Sequence, residues 1–173
     1  QYAKFAENET AQSGISYTLY QIKEAADEHA TEAELRDVRF AGYNDIKHRH
    51  HDVKRERYNK VYQTNLSEQG ITGNLADKKV AEMIAERIFD DFNAKIPADF
   101  HGHSLSVSDI IVMEQDGKKY PFFVDGFGFV SDAIDLAQFI EDDQELYTKS
   151  PLAGLTSEEK GMIFQGLWEA EDK

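Results

Sequence analysis

Cysteine is absent from the 173-residue chain. That excludes disulfide staples, thiolate metal ligands and cysteine nucleophiles. No apolar run approaches the roughly 20 residues needed to cross a bilayer. The phosphate-loop lysine and the G-x-G-x-x-G spacing are both missing, so no nucleotide loop and no cofactor are expected. Gln1 to Thr10 has neither a basic front nor an apolar centre, which does not read as a signal peptide. The Gln at position 1 reads as the start of a trimmed chain. No internal repeat and no low-complexity tract interrupts the sequence. Positive charge is in short supply: 19 Lys and Arg face 33 Asp and Glu, for a net charge of −14. Such an excess disfavours binding of nucleic acid or an anionic membrane by the whole molecule and fits a basic partner. Hydrophobic residues make up 40% and aromatics 12%, enough for one domain with a real core.

The charge is unevenly spread. Residues 36–60 carry eight bases and four acids. Residues 132–173 carry eleven acids and three bases, with the acid densest at Glu141, Asp142, Asp143 and Glu145. One reading is a solvated surface of mixed sign. The sharper reading is an acidic face that imitates the phosphates of DNA and occupies a DNA-binding groove on another protein. Its candidate residues are Asp132, Asp135, Glu141, Asp142, Asp143 and Glu145.

Local patterns predict an α+β fold: a small, mainly antiparallel sheet, one long amphipathic helix across it, and C-terminal helices on the flank. Strands are predicted near 15–22, 58–64, 107–114 and 119–125 from β-branched and aromatic content. Asp116-Gly117 between the last two marks a hairpin with a primed turn. In 58–64, Tyr58 and Tyr62 are expected on one face and Val61 on the other. The Ala- and Glu-rich run 23–35 reads as helix, Val38 to Phe40 as a short extended piece, and Asn44 as the cap of a helix through His51. Val80, Met83, Ile84, Ile88 and Phe92 recur at helical spacing over 75–94, with Asn74 as cap. Ile134, Leu136, Ala137 and Ile140 predict a helix over 133–142. Thr156 and Glu159 form a capping-box pattern ahead of a last helix through Glu171. The expected organisation is a loose arm over 1–14, a domain over 15–130 and an acidic helical extension over 131–173.

The run Pro97 to Val112, with its core Phe100-His101-Gly102-His103-Ser104-Leu105, resembles the signature of YodL-like domains. Upstream, Tyr17 to Ile22, Leu35 to Phe40, Tyr58 to Tyr62 and Phe92-Asn93 are similar to further family motifs. Tyr120 to Phe129 is similar too, with Gly126 where the family has Ser or Arg. The resemblance runs from about residue 15 to 130 and carries no mechanism with it. It implies a setting: accessory proteins of conjugative elements and phages of Firmicutes, acting in the host cytoplasm, where such proteins often disarm restriction or CRISPR nucleases. The expected function is therefore a non-catalytic, acidic protein-binding protein. Its expected partner is a basic host protein, such as Cas9 or a restriction enzyme.

Other constellations carry rival readings. Asp99, His101, His103 and Asp109 have ligands and spacing for a metal-assisted hydrolase, and His103, Ser104 and Asp109 can also be read as hydrolytic parts. The same residues also suit a turn ahead of a strand, with their polar groups bonded to backbone. His48-Arg49-His50-His51 reads as an exposed basic loop. The stretch Arg36 to Lys60 allows a scaffold that touches nucleic acid, although direct nucleic-acid binding is not the favoured reading. Phe127 and Phe129 are expected to plug the core between flexible glycines. The pairs Asp90-Asp91, Asp142-Asp143 and Glu158-Glu159 count as acidic surface.

Overall fold

A computed structural model describes residues 14–49, 51–66, 71–98, 100 and 102–142. Its centre is an antiparallel sheet in the order β2-β1-β3-β4-β5. The strands are β1 (Ile15–Ile22), β2 (Tyr58–Asn65), β3 (Ile110–Gln115), β4 (Lys118–Val124) and β5 (Phe129–Val130). β3 and β4 join through Asp116-Gly117, both at positive φ (53° and 80°). That is the primed-turn geometry expected of an Asp-Gly pair. The α+β expectation holds.

The pleat sorts apolar side chains to two cores. Tyr17, Leu19, Ile111, Met113, Phe122 and Val124 line one face. Across it lies α3 (Lys78–Ala94), which buries Ala81, Ile84, Ala85, Ile88 and Phe92. Met83, expected on that stripe, is 70% exposed. Asp77 rather than Asn74 caps the helix, accepting from Lys79 N at 3.0 Å. Asn74 instead holds the preceding turn through Ala76 N.

Tyr20, Ile22, Ile110, Val112 and Phe123 line the opposite face. It is covered by α1 (Glu32–Val38), α2 (Tyr43–His48) and a 3-10 helix over Ile134–Phe139. α1 begins later than the 23–35 reading, because Asp27 turns the chain by accepting from His29 N and Ala30 N. Thr31 then caps α1: its hydroxyl accepts from Glu34 N, and Glu34 accepts from Thr31 N in return. These bonds, with that from Arg57, draw the half-buried Glu34 carboxyl down to a pKa of about 2. Val38 closes this helix instead of opening an extended piece, and Phe40 follows at φ 63°. Gly42, not Asn44, is the N-cap of α2.

A bulge separates Tyr58 from Tyr62. Leu19 pairs with Tyr62 but Tyr20 pairs with Lys60, so Val61 is an extra residue. One extra residue reverses the in–out alternation. Tyr58 therefore stands in one core against Phe139, and Tyr62 in the other against Phe92.

The expected boundary at residue 130 does not part residues 131–142 from the domain. Leu136 and Phe139 are 1% and 0% exposed within the second core. The tighter 3-10 repeat places residues 136 and 139 on one side. It leaves Ile134 91% exposed, contrary to the expected apolar face. Residues 1–13, the helix expected after Thr156 and the pair Glu158-Glu159 lie outside the described residues. Among the described residues no helix is long and apolar enough to cross a membrane.

Candidate functional site

The six acids expected to form one anionic face divide into groups. Asp135 and Asp142 are used inside the fold. Asp135 Oδ2 accepts from Lys47 Nζ at 2.9 Å and from Val53 N at 3.1 Å, and Oδ1 accepts from the Tyr43 hydroxyl at 2.9 Å. Asp142 Oδ1 lies 2.9 Å from Arg55 Nε, and Oδ2 lies 3.4 Å from Lys60 Nζ. Oδ2 also accepts from the Tyr20 hydroxyl at 2.9 Å. Arg55 and Lys60 further sit over the Tyr20 ring. Burial alone would raise the Asp142 carboxyl. The bonds from Arg55 and Tyr20, with the charges of Arg55 and Lys60, outweigh it and hold the group below the usual carboxylate range. Residues 135–142 thus strap the chain over residues 43–60, and Gln138 completes the strap, donating to Val53 O at 2.7 Å and accepting from Arg55 N at 2.9 Å.

Asp132 and Glu141 are exposed. Asp132 meets Lys78 at 2.6 Å, with both side chains mostly in solvent. Asp143 and Glu145 lie outside the described residues.

The strap changes the meaning of the basic stretch. Lys47, Arg49, Arg55, Arg57 and Lys60 all stand in salt bridges, to Asp135 and Asp52, Asp45, Asp142, Glu34 and Asp142 respectively. Arg57 is 2% exposed. Five of the eight bases from Arg36 to Lys60 are thus paired with acids within the fold, while Arg36 and Lys54 are exposed. In its histidine run, His51 Nε2 stands 3.5 Å from Asp37, and His50 lies outside the described residues.

A further acidic line runs along α3, and it includes Asp90 of the Asp90-Asp91 pair expected as acidic surface. Glu82, Glu86 and Asp90 occupy successive turns of α3; Glu82 is half-buried, and Glu86 and Asp90 are exposed. Four-residue steps put a carboxylate about every 6 Å along one ridge. Arg87 is paired with Asp91 on the neighbouring line, and Lys78, one four-residue step before Glu82, is the ridge's basic member. The signal was visible as acids at i, i+4 and i+8 on the solvent side of a helix already assigned.

The signature segment builds a buried polar centre. β1 carries Gln21, 3% exposed, on the same face as Leu19. Its Nε2 donates to Asp109 Oδ2 at 3.0 Å and to His103 O at 2.8 Å. His103 N donates back to Gln21 Oε1 at 3.2 Å. Asp109 is 1% exposed, accepts from Ser106 N at 2.9 Å, and its Oδ1 has no hydrogen-bond partner among the described residues. His103 Nδ1 lies 2.6 Å from Ser104 O and 3.9 Å from Asp109 Oδ2. Ser108, at φ 84°, accepts from Tyr58 through its carbonyl and from Phe40 N through its hydroxyl. These bonds hold the loop 102–109 against β1 and β2. Asp99 and His101 lie outside the described residues, and no group of three metal-ligating side chains forms among those described.

Burial drives the Asp109 carboxyl well above its usual range, against the lowering pull of the Ser106 and Gln21 bonds. A native pKa above the unfolded value means stability is full below about pH 4 and falls as pH rises toward the native pKa. Asp109→Asn keeps an acceptor for Ser106 and Gln21 and removes the charge. The wild type will lose stability relative to this variant with a slope of up to about 1.4 kcal/mol per pH unit above pH 4. Urea denaturation at a series of pH values reads that slope, and parallel profiles would contradict it.

A three-layer antiparallel α+β domain with this signature loop defines the class of protein. The family profile of the YodL-like domain matches residues 16–135, and the chain belongs to that family. Neither a curated protein nor a solved structure matches it.

Proposed function

We propose that this domain is a non-catalytic binding protein of a mobile genetic element. It acts by occupying a cationic groove on a DNA-handling host-defence protein, a restriction endonuclease or a Cas9-type nuclease. The observation that carries this reading is internal neutralisation. Lys47, Arg55 and Lys60 are engaged by Asp135 and Asp142 of the same fold, while the chain as a whole carries −14. Among the described residues the acid left outside these pairs includes the exposed Glu86, Asp90, Asp132 and Glu141, and the α3 ridge sets part of it in a line. Carboxylates about 6 Å apart approximate the scale of phosphates along a nucleic-acid strand. Asp132, which meets Lys78 at the start of α3, and the exposed Glu141 add to the outward-facing acid. Asp135 and Asp142 do not, because their charge is spent within the fold.

Titrating the domain into a DNA-cleavage assay of a purified host nuclease tests this. Inhibition is expected to be relieved by added duplex DNA, since both ligands seek one groove. Inhibition that DNA does not relieve, or no inhibition across the host's restriction and CRISPR nucleases, would contradict it. The metal-assisted hydrolase retains only His103 and Asp109 of its four residues within the described part of the chain.

A further inference from the structure

The loop between β4 and β5 holds a phenylalanine out in water. Phe129 packs edge-on against Phe122, at 6.0 Å between ring centres. Phe127, two residues earlier, is fully exposed at 102%. The sequence reading expected both rings in the core. Strand pairing explains the difference: Val124 pairs with Phe129, so residues 125–128 form a tight loop beyond the sheet. Asp125 N donates to Gly128 O at 2.9 Å, and Gly128 takes φ +82°, which side-chain-bearing residues rarely adopt. The Asp125 carboxylate accepts from Gly126 N at 2.9 Å and from Tyr43 N at 3.2 Å. A Cβ on Gly42 would stand 2.9 Å from that carboxylate, so the neighbouring chain leaves room for it. The loop is thus fastened to the start of α2, and the ring is presented on a fixed support.

Phe127 overhangs a groove of about 390 Å³ against α3, lined also by Met83, Glu82, Glu86, Lys79 and Phe129. Met83 is 70% exposed there. An exposed apolar residue alone means little. Here a rigid aromatic and a pliable methionine share one groove whose rim is the acidic ridge, the composition of a binding hot spot ringed by charge.

We propose that Phe127 and Met83 are the apolar anchors of the docking surface, and that their partner is a protein segment with a hydrophobic spot flanked by Lys and Arg. This rests on the acidic-binder reading and adds the point of contact. Charge complementarity selects the occupant: Glu82 and Glu86 attract a basic polypeptide and repel an anionic membrane.

The probe is a phage-displayed library of random peptides of roughly 16 residues, long enough as a helix to run about 24 Å along α3. Enriched peptides are expected to join basic with apolar residues. A synthetic consensus peptide should bind the wild type and lose on the order of tenfold in affinity with Phe127→Ser. Because the ring touches solvent throughout, the variant should melt at the wild-type temperature. Failure to enrich peptides, or equal binding to Phe127→Ser, overturns the anchor. If Glu82→Lys with Glu86→Lys abolishes binding while Phe127→Ser does not, the anchor falls and the acidic reading stands. If only Phe127→Ser abolishes it, the anchor stands and the acidic reading falls. Phe127-dependent flotation with phosphatidylglycerol vesicles would replace the protein partner by a lipid surface.

Discussion

Replacing Phe139 by alanine will cost the fold about 3–5 kcal/mol, the range for a large buried aromatic. The ring is 0% exposed. It stands edge-on to Tyr20 at 5.0 Å and to Tyr58 at 5.3 Å, and so closes the second core from outside. Truncation leaves a cavity among rigid strand residues that relax little, so the lost contacts are not recovered. Tyr58 would also lose the neighbour that keeps its ring over Ser108, where its hydroxyl donates to the Ser108 carbonyl at 2.6 Å. Urea denaturation measures the loss. A cost under about 1 kcal/mol would mean that residues 134–139 rest on the domain without being part of it.

Asp142→Ala will cost about 3 kcal/mol, because it strands cations that are nearly out of solvent. The side chains of Asp142, Arg55 and Lys60 are 10%, 14% and 11% exposed. Removing one carboxylate leaves Arg55, Lys60 and the Tyr20 hydroxyl without it, and each loses favourable contacts that water only partly restores. Its pH dependence has a defined sign. The native Asp142 pKa lies below the unfolded value, so its stabilisation is present above about pH 4 and disappears as pH falls through the native pKa. Asp132→Ala is the control: its partner Lys78 is exposed, and the unfolding midpoint should not move. Equal effects of the two substitutions would contradict the division of these acids into internal and external groups.

The sheet was legible because its signals are local. Ile110 to Met113 is a continuous β-branched and apolar run, and Asp116-Gly117 sets its own turn chemistry. α3 was legible from its stripe, although Met83 shows that a helix of this width leaves one apolar member outside. The cap moved from Asn74 to Asp77 because Leu75 N bonds to Gln115 at the end of the inner strand β3, a contact no local pattern displays. Thr31 and Glu34 carry a capping-box pattern in the sequence, beside an Ala- and Glu-rich run whose composition alone suggests an earlier helix start. The bulge at Val61 left no mark in the sequence, since one inserted residue changes neither composition nor propensity.

Charge was legible as a quantity and not as a place. The basic excess in 36–60 and the acidic excess in 132–173 meet in part: Asp135 and Asp142 pair with Lys47, Arg55 and Lys60 over separations of more than 80 residues. Both halves stand out in the segment charges. Pairing them requires the fold, because the 3-10 helix must first carry those carboxylates back over β2. Phe127 was misplaced for a related reason: Gly-Phe-Gly-Phe says that the backbone bends and leaves open which ring turns inward.

The most direct test of the central claim is the affinity for a purified host nuclease as a function of salt, for the wild type and for Glu82→Lys with Glu86→Lys and Asp90→Lys. The account predicts that wild-type affinity falls by at least about tenfold between roughly 0.05 and 0.3 M salt, as screening shortens the reach of charge. It predicts that the triple variant binds at least about tenfold more weakly at low salt and has a shallower salt slope. Wild-type binding that ignores salt, matched by the triple variant at every concentration, would contradict it.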